Sequence, residues 1–356
     1  MPLLFAFALL AFALLAFVIQ STPLQAQTLR IATFNTELSR KGPGLLLRDI
    51  ERDNDAQIQA VVAVISQNQP DILVLQGIDW DHDSRALKAL EQRLAAAGSP
   101  FPHLFARQPN TGLATELDLD GDQRLGGSGD SQGYGDYTGR SGMAVLSRYP
   151  IMADEISDLS GLLWRDIPGA TLPRHPDGSP FPTPQAQAVQ RLSTTAHWAL
   201  PVALTDDRRL TLLVFKAPPP LFDGAEDRNG VRNADEIRLW QVFLAGQLPK
   251  EIGPPPSSRF LIAGGAHLDP DKGAGHRQVI ANLLQDPRLQ DPRPGSALAG
   301  TDTVDWGEDR RMRVDYLLPS RDLQVVAAGV DWPDSAEAAA AKASRHRLVW
   351  VDIALD

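Results

Sequence analysis

Cysteine is absent from the 356-residue chain, so disulfides, thiolate metal sites and cysteine nucleophiles are excluded. A cationic surplus is absent as well, since 44 acidic and 34 basic residues give a formal net charge of -10. Nucleic acid is therefore not expected to bind broadly, and neither are anionic membranes, because both need a cationic surface. The sequence also lacks internal repeats and a linker between two cores. Its hydrophobic content of 43% is enough to fill one large core.

The long apolar run of the chain lies at its N-terminus, where residues 3–19 read LLFAFALLAFALLAFVI. The polar segment QSTPLQAQ follows, and the run is slightly shorter than the ~20 residues of a membrane-spanning helix. This pattern is typical of a signal peptide at residues 1–26, cleaved after Ala26, or of an uncleaved hydrophobic anchor. We therefore predict an exported protein, periplasmic or extracellular, whose folded domain covers residues 27–356.

Apolar periodicity divides the rest of the chain into strands and helices. Predicted strands cover residues 28–36, 70–76, 143–151, 192–204, 210–216, 260–263, 313–320, 323–330 and 348–355. Predicted helices cover residues 55–68, 84–98 and 234–248, and a fourth lies near 276–285. This order predicts a single α/β domain built on two β-sheets.

A long segment at residues 111–142 is rich in Gly and Asp and poor in apolar residues. Its length alone predicts a functional or metal-tied loop. Within it, Asp118, Asp120 and Asp122 alternate around Gly121, which resembles a calcium-binding loop. The distal Glu of an EF-hand is missing, so the segment is either a structural calcium site or a plain acidic turn.

The segment RFLIAGGAHLDP at residues 259–270 is a strand that ends in Gly-Gly and then in Asp-Pro. Strand-to-loop exits often present catalytic side chains, because the strand aims them and the loop exposes them. Here the exit offers two glycines, an alanine and His267. It is either an active-site loop without its carboxylate or a simple turn.

Several segments occur in an order that resembles the endonuclease/exonuclease/phosphatase superfamily over nearly all of residues 28–356. They are TFN, PDILVLQ, DWD, SGMAVLSRYPI, IAG…DP, RVDYLLPS and SRHRLVWVD. The resemblance is to an exported bacterial, phytase-like branch. It implies a four-layer α/β/β/α sandwich with two mixed β-sheets and a phosphoester hydrolase that uses Mg²⁺ or a similar divalent cation.

The residues that such an enzyme needs are mostly replaced. The resemblance assigns Asn35 to the metal-binding Asn and His346 to the second catalytic His. At the other matching positions the chain carries different residue types, which are Gly77 for Glu, Lys216 for His, Gly265 for Asp, His267 for Asn and Arg345 for Asp. The loop at 264–267 is thus predicted to be the active-site loop without its carboxylate.

Loss of carboxylates and gain of cations disfavours a bound dication. We therefore expect a pseudoenzyme in which a divalent cation is doubtful, with a phosphorylated small molecule or phosphoester as partner. Its phosphate-binding candidates are Lys216, Arg345, Arg228 and Asn229. The alternative is an active phosphoesterase that uses relocated ligands, namely Asn35, Asp79, Asp81 and His267, with Glu37 and Asp83 close by in sequence. No protein partner follows from the sequence.

Three further positions stay open. Asp315 is either a buried carboxylate bonded to the loop before His346 or an ordinary sheet-edge residue. His197 is interpreted as a structural histidine. The polar segment at 227–233 either caps the helix predicted at 234–248 or lines a phosphate cleft.

Overall fold

The structure, a computed structural model, describes residues 28–204 and 208–355. The predicted export segment and the cleavage position after Ala26 lie outside the described residues. In the ranges that are described, no helix is both long and apolar enough to cross a membrane.

The secondary structure alternates between strands and helices along the chain. The strands are β1 (Thr28–Asn35), β2 (Ile72–Ile78), β3 (His103–Phe105), β4 (Gly142–Ser147), β5 (Ser157–Asp158), β6 (His197–Ala203), β7 (Arg209–Lys216), β8 (Phe260–Gly265), β9 (Val304–Asp305), β10 (Arg311–Met312), β11 (Asp315–Pro319), β12 (Val325–Val330) and β13 (Val349–Ala354). The helices are α1 (Leu45–Arg52), α2 (Ala56–Asn68), α3 (Arg85–Ala96), α4 (Pro184–Val189), α5 (Arg228–Leu244), α6 (Arg277–Leu284) and α7 (Ala339–Ala343).

Two mixed sheets form the centre of the molecule. The six-stranded sheet has the order β12-β13-β1-β2-β4-β3, and the five-stranded sheet has the order β11-β8-β7-β6-β5. Each sheet contains one parallel pair, β1 with β2 and β7 with β8, among antiparallel neighbours. In these parallel pairs, Asn35 lies beside Gln76 and Lys216 lies beside Gly265. Asn35, Lys216 and Gly265 are the last residues of their strands, so these strand ends supply candidate site positions.

Both faces of each sheet are covered, which explains the nearly continuous apolar strands in the sequence. In β2, Leu73 and Leu75 pack with helices α2 and α3, while Ile72 and Val74 face the other sheet. In β7, Leu213 and Phe215 pack with α5, while the alternate residues fill the space between the sheets. The order of layers is helix, sheet, sheet, helix, so the predicted four-layer sandwich is confirmed.

Helix α1 and strand β3 were not predicted. The α1 segment follows Gly42-Pro43-Gly44 and buries only Leu46 and Ile50, so its periodic signal is short. The helix predicted at 234–248 begins six residues earlier, at Arg228, and ends at Leu244. Its first turns are rich in Asn, Asp and Gly, which are weak helix formers. Tertiary bonds compensate, since Asn233 Nδ2 donates to two backbone carbonyl oxygens at 2.7 Å each.

Candidate functional site

A cleft of about 1110 Å³ opens where the ends of the two parallel strand pairs meet. Its lining includes most of the predicted site residues, which are Asn35, Glu37, Lys216, Arg228, Asn229, His267, Arg345 and His346. Asp79 and Asp81 do not line it. The long loop at 111–142 supplies one wall, with Leu119, Tyr134 and Ser141 among its lining residues.

Asn35 lies at the end of β1, buried to 4% exposure, with Gly77 directly against it. Gly77 has a φ of 70° and forms an irregularity in the β2–β4 pairing. A Cβ atom at position 77 would lie 2.5 Å from Asn35 Oδ1 and 3.0 Å from the Glu37 backbone nitrogen. Both the left-handed backbone and this close approach favour glycine. The position that the resemblance assigns to a metal-binding Glu therefore has no room for a side chain beside the present Asn35.

Glu37 brings a carboxylate to the same place, but the carboxylate is occupied by protein donors. Its Oε1 accepts from Arg345 Nε at 2.9 Å, and its Oε2 accepts from the Arg345 backbone nitrogen at 2.9 Å and from Ser344 Oγ at 3.0 Å. Burial alone would raise the pKa of Glu37, yet the hydrogen bonds from Arg345 outweigh it and lower the pKa to about 2. Glu37 and Arg345 thus form an ion pair at the rim of the cleft, and their opposite charges cancel each other.

Asp79 is also fully engaged in local structure. Its Oδ1 accepts from Ser39 Oγ at 2.7 Å and from Ser141 N at 2.9 Å, while its Oδ2 accepts from Arg40 N at 2.8 Å. Asp81 accepts from the first backbone nitrogens of α3, Arg85 N at 2.7 Å and Ala86 N at 2.8 Å. The two acids of the DWD segment therefore fix loops and a helix start outside the cleft.

Lys216 is the last residue of β7. Together with His267 and His346 it forms the part of the cleft lining that we call the floor. Its Nζ donates to Ser141 Oγ at 2.7 Å. Burial lowers the pKa of Lys216 to about 8, although the carboxylates of Glu37, Asp315 and Asp79 pull in the opposite direction. At neutral pH most Lys216 side chains carry a charge.

His346 keeps a carboxylate partner despite Arg345 at the preceding position. Its Nδ1 lies 2.7 Å from Asp315 Oδ2, and because an ionised carboxylate only accepts, Nδ1 carries the proton. The Asp315 side chain, at the start of β11, is 1% exposed and also accepts from Thr303 Oγ1 at 3.2 Å. Asp315 is thus the buried carboxylate of the two alternatives, bonded to His346 itself. The second ring nitrogen of His346 is left for the cleft.

His267 lies next to His346, with 5.6 Å between the ring centroids. Its Nδ1 donates to the Ala217 carbonyl oxygen at 2.8 Å, so the neutral ring has its acceptor at Nε2. Burial lowers the pKa of His267 to about 4, and the positive charges of His346 and Lys216 add to this effect. At neutral pH His267 is therefore uncharged and adds no cation to the floor.

Gly265 lies against two buried oxygens beside this pair. A Cβ atom at position 265 would lie 2.6 Å from Gln76 Oε1 and 3.3 Å from Asp315 Oδ1. Both oxygens are buried and neither has a hydrogen-bond partner among the described residues. The position that the resemblance assigns to an Asp therefore has little room for a side chain beside the present Gln76.

Arg228 and Asn229 begin α5 at the opposite wall of the cleft. Both residues and Arg232 line the cleft, and a phosphate-binding role of the 227–233 segment stays a prediction. Among the described residues Arg228 Nε has no hydrogen-bond partner, although Glu226 Oε1 lies 3.8 Å away. Asn229 is committed to the neighbouring loop, since its Nδ2 donates to the Leu221 carbonyl oxygen at 2.6 Å. Arg228 is therefore the freer donor of the two.

The acidic loop forms a cluster apart from the cleft floor. Asp118 and Asp120 approach Asp130, rather than Asp122, with one ligand oxygen from each within 4.8 Å of the others. The carboxylates also accept backbone hydrogen bonds from the loop, such as Gln123 N to Asp118 Oδ2 at 2.9 Å and Gly127 N to Asp130 Oδ2 at 2.9 Å. The calcium-like interpretation of this loop stays a prediction.

The donor set around Asn35 does not fit a divalent cation. Mg²⁺ needs one or two carboxylate oxygens that are free to coordinate it. Gly77 supplies none, and the Glu37 carboxylate is bound by Arg345 and Ser344. Across residues 28–204 and 208–355, the acidic loop is the one place where three His or carboxylate ligand atoms converge. The Lys216 ammonium provides positive charge at the floor instead.

Four side chains that support the site were not singled out in the sequence. Ser141, Thr303 and Ser344 contact candidate site residues as described above, and Gln76, beside Asn35, donates from Nε2 to Thr33 Oγ1 at 2.8 Å. Ser141 and Ser344 carry a weak signal, because each is the first residue of a segment of the family pattern. Thr303 lies in a loop far from any motif, and only the folded chain brings it to Asp315.

Comparisons with known proteins identify the family and the fold of the chain. A model of the endonuclease/exonuclease/phosphatase family matches residues 32–346. Two similar solved structures are an endonuclease/exonuclease/phosphatase from Beutenbergia cavernae, with 17% identity, a TM-score of 0.55 and coverage of 92% of this chain and 72% of that chain, and a family protein from Leptotrichia buccalis, with 14% identity, a TM-score of 0.52 and coverage of 91% and 99%. At such identities they establish the shared fold alone. No curated protein matches the sequence.

Proposed function

Because this chain belongs to the endonuclease/exonuclease/phosphatase family, we propose that it binds a phosphate ester through its own cationic groups and has lost metal-dependent hydrolysis. The observation that carries the proposal is the position of the Lys216 ammonium. Lys216 is paired with Gly265 of β8, which is paired in turn with Asp315 of β11, and its ammonium donates to Ser141 Oγ at 2.7 Å. Gly77 leaves no acidic ligand for a dication. The lysine thus replaces the charge of the metal without its reactivity.

The floor can bind a phosphate group with few donors. Lys216 supplies a charged ammonium, and the imidazolium form of His346, held in place by Asp315, donates from Nε2. Charge-assisted hydrogen bonds of this kind are short and strong. Arg345 adds little to the affinity, because Glu37 neutralises it. Binding should also fall as the pH rises through about 8, since Lys216 then loses its proton.

The test is thermal stabilisation by methyl phosphate in the presence of a chelator, on the chain without residues 1–26. We expect methyl phosphate to raise the melting temperature of the wild type. Lys216→Met should weaken binding about tenfold, whereas Lys216→Arg should keep part of the affinity. Lys88→Met, at an exposed position of α3, is the matched control for loss of one charge. Stabilisation that requires Mg²⁺ and vanishes with the chelator would contradict the proposal.

The Asp315–His346 pair favours a second candidate, a residual metal-dependent phosphoesterase with relocated ligands. An oriented histidine is the part of such a site that is retained here. The assay supplies Mg²⁺, Mn²⁺, Ca²⁺ or Zn²⁺ with an aryl phosphate, an aryl phosphodiester or DNA. Turnover that His346→Gln and Asn35→Ala both abolish would establish this candidate in place of the first.

Export is part of the proposal. The apolar segment at residues 3–19 supports it. N-terminal sequencing of the chain recovered outside the cytoplasm distinguishes cleavage after Ala26 from retention as an anchor. Recovery of the full-length chain from the cytoplasm alone would contradict it.

A further inference from the structure

The walls of the cleft are much more apolar than its floor. The apolar lining residues include Leu119, Tyr134, Trp164, Phe181, Leu221, Phe222, Trp306 and Met312. Three of them are also large hydrophobic side chains with high exposure, namely Phe222 at 82%, Tyr134 at 69% and Leu221 at 46%. Exposed apolar groups that gather at one concave site mark a binding surface.

Phe222 is held at the mouth of the cleft by a stiff loop. Pro218, Pro219 and Pro220 precede it, and proline restricts the backbone at each of these positions. On the other side, Asn229 Nδ2 donates to the Leu221 carbonyl oxygen at 2.6 Å, and Asn229 N donates to Asp223 Oδ2 at 2.6 Å. The first turn of α5 therefore anchors the loop that presents the ring.

The backbone of Phe222 is in the left-handed region, with a φ of 68°. This conformation is unfavourable for a bulky residue, and the exposed ring gains no compensating burial in the fold. Strain of this kind persists where function requires it. Neither the conformation nor the exposure of Phe222 is explained by the packing of the protein.

We propose that the bound phosphate ester is an amphiphile, with its phosphate at Lys216 and a bulky, ring-containing apolar body against Phe222 and Tyr134. This inference rests on the proposed function, because it assumes that the phosphate occupies the floor. The size of the cleft supports it, since about 1110 Å³ accommodates a complete small molecule and a phosphate group fills only a small part. A net charge of -10 disfavours an anionic polymer or membrane as the occupant.

The experiment measures affinity by calorimetry for four probes, which are inorganic phosphate, methyl phosphate, 1-naphthyl phosphate and 1-naphthol. We expect 1-naphthyl phosphate to bind about tenfold or more tightly than methyl phosphate, because the ring system buries apolar area on the wall. Phe222→Ala should weaken 1-naphthyl phosphate about five- to tenfold and leave methyl phosphate unchanged.

Two variants separate ligand contact from a structural role. Phe222→Gly should lose as much affinity for 1-naphthyl phosphate as Phe222→Ala does. Its melting temperature should be higher than that of Phe222→Ala, because glycine accepts the left-handed backbone. Leu298→Ser, at a position that is 58% exposed and outside the cleft lining, should change neither affinity. Such a result means that the ring serves the ligand at the expense of stability.

The outcomes distinguish this inference from the proposed function. Equal affinities for methyl phosphate and 1-naphthyl phosphate, unchanged in Phe222→Ala, would overturn the amphiphile and keep the phosphate site. Binding of 1-naphthol as tight as that of 1-naphthyl phosphate would overturn the phosphate site and keep the aromatic wall. Absence of binding by all four probes would overturn both.

Discussion

Two buried histidines in this protein have acidic neighbours but opposite surroundings. His346 bonds to Asp315 at 2.7 Å and opens onto the cleft. His197, at the start of β6, has no exposed surface and is enclosed by the rings of Phe215 and Trp240. Its Nδ1 lies 2.8 Å from Ser193 Oγ and its Nε2 donates to the Glu236 carbonyl oxygen at 3.0 Å. Similar residue types thus serve a site in one place and packing in the other.

The difference lies in how each region deals with charge. Burial lowers the pKa of His197 to about 4 and raises the pKa of Glu236 to about 8, so both are mainly neutral near pH 7. At the cleft, Glu37 stays ionised because Arg345 pairs with it, and most Lys216 side chains stay charged. In the closed core His197 and Glu236 are neutral although Arg232 lies 3.9 Å from Glu236, whereas at the cleft Glu37 keeps its charge by pairing with Arg345.

The largest expected effect is on folding. His197→Ala should lower the free energy of unfolding by about 3 kcal/mol, since it leaves a cavity and two lost hydrogen bonds in a closed core. His346→Ala should cost only about 1 kcal/mol, because water from the cleft can replace the imidazole. Urea denaturation measures both, and His197→Gln serves if the alanine variant does not fold. Equal losses would remove the distinction between the two histidines.

A smaller effect is the pH dependence of stability that arises from Glu236. Its folded pKa of about 8 exceeds its ordinary value of 4.5, so the folded chain holds an extra proton between these values. Stability from this group is therefore lost as the pH rises through about 8. His197 acts oppositely, but only between about 4 and 6.5, and Lys216 acts above about 8.

The window from pH 6.5 to 8 consequently isolates Glu236. We expect the free energy of unfolding to fall by on the order of 1 kcal/mol across it, and Glu236→Gln to flatten this slope. Glu337→Gln, at an exposed position, is the matched control and should leave the slope unchanged. A slope that survives in Glu236→Gln would mean that the buried carboxyl is ionised throughout.

The smallest expected effect concerns the paired charges at the cleft rim. Arg345→Met should weaken methyl phosphate binding about threefold, because it leaves the Glu37 charge uncompensated near Lys216. The double variant Glu37→Gln/Arg345→Met removes a neutral pair and should bind almost as tightly as the wild type. If the double variant binds as weakly as Arg345→Met, Arg345 contacts the phosphate directly.

Most of the fold could be predicted from the sequence, because the strands carry strong apolar patterns. The segment 70–76 predicted β2 within two residues of its observed ends. The start of α5 was wrong, since Arg228 and Asn229 belong to a helix that tertiary hydrogen bonds extend through unfavourable residues. Such bonds join residues far apart in the chain, and local propensity contains no information about them.

The site could be located from the sequence but its charge balance could not. Asn35, Lys216, His267 and His346 were predicted to belong to one site, and they line the same cleft. The sequence indicated that His346 had lost its acidic partner, whereas Asp315 lies 2.7 Å away. It also counted Arg345 as a free cation, although Glu37 neutralises it. Which acid pairs with which base depends on distances that only the folded chain defines.

Gly77 limits what one substitution can add at this position. Since a side chain there would collide with Asn35 Oδ1 and would need a left-handed backbone, replacement by glutamate disturbs the asparagine beside it. A carboxylate at this end of β2 therefore requires compensating changes at neighbouring positions.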